Sequence, residues 1–365
     1  MKTVRRLLYR DIVSSVLFVG LAFLSLFFFI DLVDQLDSIG QRGRTVGIAV
    51  LTAVYAIPGH SYELLPIAVL IGTIYSLSRL AQSSEFTILR TGGLGPQRAL
   101  TLLAALGVAF AVLTFFVGDI LAPASERQAV LLKARAGGGL RLSGPGAWLK
   151  ERRATPDGEL AVSVNVGGLA ADGTMNDVRI FEFDAEGRLL QRLAAPRARV
   201  EGDGWLLEDA QSQQWPVNGG PVRVTQHSRL SWPSTLDAKV VAAALLPAET
   251  MTTLELWRYS RHLLAQEQAA QSYELQFWKR ALYPLACIVM VALALPFAYL
   301  SARAGGVSLK VFGGIMLGIS FALLNNVAGH IGALSNLTPW AVSAAPGLLY
   351  LLLSLAAFAW LVRYR

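Results

Sequence analysis

Apolar and polar positions along this chain follow two different rhythms. Ile12 to Ile30 runs for 19 residues without a charge, Ala99 to Gly118 for 20, and Ala281 to Ala302 for 22. Val311 to Val362 runs uncharged for 52 residues, too long for one membrane crossing and right for two. Ser335-Asn336-Leu337-Thr338-Pro339 marks the turn between them. A crossing needs about 20 mostly apolar residues, so these runs predict five transmembrane helices. Thr45 to Ser78, interrupted only by Glu63, predicts a sixth. Two spans reversing near Pro58-Gly59-His60 would each be short, so one long helix kinked at Pro58 or Pro66 fits better.

The second rhythm lies between spans three and four. Leu160 to Val166 and Val178 to Phe183 alternate apolar with polar residues. Turn chemistry punctuates them at Pro156-Asp157-Gly158, Asp172-Gly173, Asp184 to Gly187 and Glu201 to Gly204. Short strands at this spacing predict an antiparallel sandwich or jelly roll. Residues 248–275 read as a helical return, capped by Thr250 or Thr252, with Leu254, Leu256, Trp257, Leu263 and Leu264 as its apolar positions. The predicted fold class is an α-helical membrane protein of six transmembrane helices, with an all-β jelly-roll domain between helices three and four. Residues 1–121 carry spans one to three, 122–272 the β domain and its return, and 273–365 spans four to six.

Composition narrows the class. The chain is 54% hydrophobic and 16% charged, with a mean hydropathy of +0.48, against about 25% charged for a soluble domain. One Cys and four scattered His leave no disulfide framework, cysteine metal cluster or HExxH site. The net charge of +7 comes entirely from outside residues 119–280, which hold 19 basic and 19 acidic residues. That excess sits beside apolar runs, which argues for a topology signal and against nucleic-acid binding. With six spans, eleven Lys/Arg fall in the short segments on one side and only Arg42 and Arg44 on the other. The charge rule then puts both termini in the cytoplasm and residues 122–275 outside it. Ile12–Ile30 reads as an uncleaved anchor, because Asp31-Leu32-Val33-Asp34 follows it without a small-x-small cleavage site.

Catalytic and phosphate-binding motifs are missing: no GxxxxGK[ST], GxGxxG after a strand, GxSxG or CxxC. Energy from ATP would have to be converted on another subunit. The cytoplasmic loop between spans two and three holds a candidate docking helix over about 83–92. Ser83 or Ser84 can cap it, Glu85 sits in its first turn, Phe86, Ile88 and Leu89 make it amphipathic, and Gly92-Gly93 ends it. Such a helix either docks into a partner's groove or lies on the headgroups. Glu63, His60, Asn325-Asn326 and His330 within apolar runs predict helix–helix hydrogen bonds.

That loop, Leu80-Ala81-Gln82-Ser83-Ser84-Glu85, then an apolar stretch, then Arg90 and glycine, resembles the coupling-helix segment of the lipopolysaccharide-export permeases LptF and LptG. Three further stretches are similar to the same family: Tyr273 to Arg280 with Tyr283-Pro284-Leu285, Leu32 to Leu36, and Ala122-Pro123 with Glu126. The resemblance covers essentially the whole chain, and the Tyr273 stretch leans toward LptG. It implies a non-catalytic inner-membrane permease in a bacterium, paired with a second permease (LptF if this is LptG) on an LptB-type ATPase dimer. ATP and Mg would be bound by that ATPase, with no cofactor in this chain. The family hands lipopolysaccharide from the outer leaflet through jelly rolls to periplasmic LptC and LptA. It places Ser84, Glu85, Arg90 and Gly92 in the helix that meets the ATPase; Gly93 is an extra glycine that predicts a helix shorter by part of a turn. It gives spans one and five the cavity-narrowing role when the ATPase closes.

Asp31, Asp34 and Asp37 share one face of span one at its outer end. They are either solvated or line the lateral opening for lipid. The family often carries lysines there, and here Arg42 and Arg44 come later. Lys279 and Arg280, joined by Lys133 and Arg135, are snorkelling anchors or contacts for the lipid's phosphates. The competing function is a membrane-anchored periplasmic scaffold or an FtsX-type mechanotransmitter without transport, the latter typically with four spans.

Overall fold

The computed structural model describes residues 2–36, 45–83, 85–93, 95–136, 140–141, 146–155, 158–170, 173–201, 204–216, 220–234, 236, 248–265, 270–299, 306–335 and 337–364. The helices of the first half are α1 (Lys2–Leu36), α2 (Val46–Gln82), α3 (Glu85–Thr91), α4 (Pro96–Phe116) and α5 (Ala122–Ala136). A π-helical turn, Val117–Leu121, joins α4 to α5 without a break, so span three runs on beyond the apolar stretch. Strands β1 (Leu140–Arg141), β2 (Ala147–Thr155), β3 (Gly158–Leu169), β4 (Met175–Phe183), β5 (Leu189–Glu201), β6 (Gly204–Gln214) and β7 (Arg223–Pro233) follow. The return consists of a 3-10 turn, Ala248–Thr250, and α6 (Thr253–Ala265); α7 (Gln271–Leu282), α8 (Leu285–Tyr299), α9 (Val307–Leu334) and α10 (Pro339–Tyr364) complete the chain.

Among the described residues, α1, α2, the α4–α5 continuum, α9 and α10 are each long and apolar enough to cross a membrane. The α7–α8 pair makes the sixth crossing, bent by 46° at Tyr283-Pro284. Proline lacks the N–H that would continue the ladder and crowds the preceding turn. The Thr45–Ser78 stretch is one helix with Pro58 and Pro66 both inside it.

Helix α2 is the bundle's centre. In its most apolar window 72% of residues are buried, against 6% for α1. Leu70, Ile74 and Leu77 of α2 pack with Leu8 and Ile12 of α1 and with Met290 and Val291 of α8. Helix α1 instead turns Phe18, Leu21 and Phe29 outward, as a helix facing lipid or a second membrane subunit does. It crosses α2 tightly at Gly72, where an added Cβ would stand 2.6 Å from the Val16 backbone nitrogen.

The β domain is one antiparallel sheet in which β3 to β7 are consecutive neighbours, with β1 and β2 along the same edge of β3. Val162, Val164 and Val166 in β3 (Gly158–Leu169) alternate inward and pair with β4 (Met175–Phe183), where Val178 and Ile180 do the same. The sheet curls until its outer strands meet. From β7 (Arg223–Pro233), the Trp232 indole N–H donates to Glu182 Oε1 at 2.8 Å. The Ser234 hydroxyl beyond it donates to Glu151 Oε2 at 2.9 Å on β2 (Ala147–Thr155). Arg153 donates to the Pro233 carbonyl and lies 4.9 Å over the Trp232 ring. Trp205 and Trp232 fill the interior edge to face.

Candidate functional site

The half of the helical bundle that joins the β domain, taken as its outer half, encloses a cavity of about 790 Å³ between α1, α2, α5, α7 and α9. Its chemistry is graded with depth. Ile67 and Ile71 of α2 and Ile315 and Ile319 of α9 line its inner part. One to three turns further out on the same two helices come His60 and Glu63, and Asn325 and Asn326. Asp31 of α1, Glu126 of α5 and Lys279 and Arg280 of α7 complete the charged rim, with Ala53 and Ala56 of α2 and Ala129 and Val130 of α5 beyond them. His60 Nε2 lies 2.7 Å from Asp31 Oδ2, and the Phe27 ring packs 5.0 Å from the imidazole. This pair ties the outer end of α1 to α2. The Lys279 ammonium lies against Gly329 of α9, where an added Cβ would sit 3.8 Å away.

Below the β domain, the return chain is pinned to the top of the bundle. Arg127 on α5 donates to the Thr250 carbonyl at 2.9 Å and to the Glu255 carboxylate. Arg280, buried at 8% exposure, donates to the Met251 carbonyl. Asp119 in the π-helical turn accepts the Thr253 N–H at 2.6 Å. Thr252 and Glu255 form a capping box: the Thr252 N–H donates to Glu255 Oε2 at 2.8 Å, and the Glu255 N–H to Thr252 Oγ1 at 3.2 Å. Burial pushes the Glu255 carboxyl up, but the Thr252 backbone N–H, the Arg127 charge and the Thr252 hydroxyl outweigh it and hold it below its ordinary value. A lowered value stabilises the folded form above the unfolded value of about 4.3. The contribution is lost as pH falls through the folded value, so the pin holds at neutral pH and weakens on acidification below the ordinary carboxylate range. Thr252→Ala is expected to cost about 1 kcal/mol at the start of α6, read as faster hydrogen exchange of the first-turn amides with the spans unchanged.

At the end of the bundle away from the β domain, α3 rests on the bundle through Leu89 and turns Glu85 and Ile88 outward, Ile88 at 67% exposure. The Gly92 N–H donates to the Ile88 carbonyl at 2.9 Å, and Gly93 closes the helix at φ +98°.

Six apolar crossings, a β insertion after the third and a small exposed helix in the loop after the second define a recognisable layout. The family model for the lipopolysaccharide export system permease LptF/LptG matches residues 6–362. The chain belongs to the LptF/LptG family. It is 24% identical over 355 residues to the lipopolysaccharide export system permease protein LptG of Haemophilus influenzae, covering 96% of each chain. It is 24% identical over 354 residues to the LptG of Escherichia coli K12, again covering 96% of each. Both names agree with the LptG leaning of the Tyr273 stretch. The chain is therefore a multi-pass membrane protein of a permease family.

In this LptG-like chain, Asp31, Lys279 and Arg280 converge on one cavity. Asp34 is exposed and does not line it. The shared face read for the three acids therefore splits at its second member. Asp37, Arg42, Arg44 and Ser84 lie outside the described residues, as do the side chains of Arg90, Lys133 and Arg135. Gly92 follows the last turn of α3. His60 makes its hydrogen bond to the neighbouring helix, whereas His330 Nδ1 lies 2.9 Å from Asn326 O on its own helix. The Arg127, Asp119 and Glu255 pin carries no sequence signal except the Thr252-x-x-Glu255 capping pattern.

Proposed function

We propose that this chain is the LptG-type permease subunit of an ATP-driven lipopolysaccharide exporter in a bacterial inner membrane. Its termini and α3 face the cytoplasm and its β domain faces the periplasm. A second, LptF-type permease meets the exposed face of α1, and a separate LptB-type ATPase dimer binds ATP and Mg and engages Glu85 and Ile88 on α3. The β domain delivers to periplasmic partners of LptC and LptA type. The observation that carries this reading is the depth grading of the cavity, apolar at Ile67, Ile71, Ile315 and Ile319 and charged at its rim. An amphiphile with several acyl chains and a phosphorylated head matches that grading in both parts. Arg280 is engaged with the Met251 carbonyl, so Lys279 is the rim cation assigned to a phosphate. Closure of the ATPase would push α3, draw α1 and α9 together and drive the acyl chains outward.

The test is to purify the tagged chain from its host and assay lipopolysaccharide-stimulated ATP hydrolysis in the material obtained. An ATPase and a second six-span permease are expected to accompany it. A hydrogen bond to a charged group contributes about 1.5–3 kcal/mol, so Lys279→Gln is expected to raise the lipopolysaccharide concentration for half stimulation by about tenfold or more. Purification of the chain without an ATPase would sink the exporter reading. Unchanged stimulation in Lys279→Gln would sink the assignment of Lys279 alone.

A further inference from the structure

Helix α6 has two apolar faces, and only one is used inside the protein. Leu256, Ser260 and Leu263 are buried, and Tyr259 meets Tyr273 of α7 edge to face at 4.8 Å between ring centres. Leu254, Trp257 and Leu264 stand on the opposite side at 52%, 45% and 47% exposure. Arg258 and Arg261 are exposed among them, and the Arg261 guanidinium lies 5.8 Å over the Trp257 ring. At 3.6 residues per turn these five positions fall within an arc of about 120°. The helix's one acid, Glu255, lies off that arc and is bound to Arg127.

The position of this face matters as much as its composition. The Thr253 N–H is held by Asp119, just past the outer end of α4. Beyond the far end of α6, the Gln271 amide donates to the Gly332 and Ser335 carbonyls at 3.0 and 2.6 Å, at the outer end of α9. Both ends of the α6–α7 hairpin are thus pinned level with the outer ends of membrane spans, and α7 leans 46° from α8. Trp340, 56% exposed at the start of α10, stands at the same outer level. Tryptophan, leucine and arginine on one arc at that depth match a helix lying in the headgroup layer.

We infer that α6 is an interfacial membrane anchor, whose Leu254, Trp257 and Leu264 insert among lipids of the outer leaflet while Arg258 and Arg261 bind the phosphates of anionic phospholipids. The anchor holds the return from the β domain at the membrane surface, next to the rim of the cavity. Attraction to an anionic surface is worth roughly fivefold in partitioning per arginine.

The test uses the full chain with its co-purifying subunits in vesicles. Cys287 is the native cysteine and is buried, so Leu264→Cys can be labelled selectively with an environment-sensitive fluorophore. Leu254→Cys gives a second, independent probe. Vesicles of phosphatidylcholine alone are compared with vesicles containing phosphatidylglycerol, each doped with a lipid spin-labelled near its head. Expected is quenching by the spin-labelled lipid and protection from aqueous iodide, both stronger with phosphatidylglycerol. The double variant Arg258→Gln/Arg261→Gln should reduce that phosphatidylglycerol-dependent part by about tenfold or more, and raised salt should reduce it in the unsubstituted protein. Iodide quenching without lipid quenching at both probes would overturn the anchor. So would equal lipid quenching in the two vesicle types, because no anionic phosphate would then be recognised. Loss of the phosphatidylglycerol effect on adding millimolar inorganic phosphate, at constant ionic strength, would also overturn it, by showing a soluble-anion site instead.

Discussion

Gly72→Leu should abolish accumulation of the protein in the membrane, and Gly72→Ala should reduce its thermal tolerance. The reason is backbone geometry. At Gly72 the α2 backbone approaches α1 so closely that a Cβ would stand 2.6 Å from the Val16 nitrogen and 2.7 Å from its Cα. Neither is the movable end of a side chain, so α1 itself must shift. Overpacking of this kind costs about 1–3 kcal/mol for a single methyl group. A leucine adds three more carbons where Val16 and Ala68 are already buried against one another's helices. Moving α1 outward would open the cluster of Leu8, Ile12, Leu70 and Ile74. The variants are compared by membrane fractionation and by heating the purified protein in detergent. Gly47→Ala serves as control, since its added Cβ meets only the Thr45 hydroxyl, at 3.9 Å. Equal behaviour of Gly72→Leu and Gly47→Ala would mean that the α1–α2 crossing is not set by this contact.

The crossings were legible in the sequence because hydrocarbon leaves few alternatives: a run of about 20 apolar residues must be helical to satisfy its own backbone. The strands were legible from alternation at Leu160–Val166 and Val178–Phe183, both of which pair as expected. What alternation does not encode is where the sheet's ends go. The meeting of Glu151, Arg153, Trp232 and Ser234 depends on contacts about 80 residues apart. The helical return shows the same limit. Its five apolar positions were read as one face, yet only Leu256 and Leu263 are buried and Leu254, Trp257 and Leu264 point away. At the cavity rim, His60 and Glu63 were visible as expensive presences in an apolar run. Their partners were not: Asp31 read as one of three equivalent acids, and the bond to His60 singles it out. The bulk of Arg280 read as a basic neighbour of Lys279, while its guanidinium is spent on holding the Met251 carbonyl.

His60→Leu is expected to loosen the outer end of α1 by about 2 kcal/mol, and Asp31→Asn by less. The outer half of α1 is tied to α2 by the Asp31–His60 hydrogen bond and the Phe27 ring beside it. Removing the imidazole leaves the Asp31 carboxylate at the rim of an apolar cavity without its donor. Removing one partner of a buried charged pair costs about 3–5 kcal/mol. The side chains here keep 24% and 22% of their exposure, so water recovers part of that loss. Asp31→Asn leaves an amide that still bonds a neutral imidazole, which makes it the milder change. The double variant Asp31→Leu/His60→Leu removes both polar groups together, and should recover much of the single-variant loss because no unpaired acid remains. Hydrogen exchange of the α1 amides around Asp31 reads the effect directly, since about 2 kcal/mol corresponds to roughly thirtyfold faster opening. If the double variant opens as fast as His60→Leu alone, the loss comes from breaking the hydrogen bond itself and not from stranding the acid, and the pair is the tie that holds α1 at its outer end. If it recovers, the stranded Asp31 carboxylate was the cost of His60→Leu, and the outer end of α1 is held by the packing around Phe27.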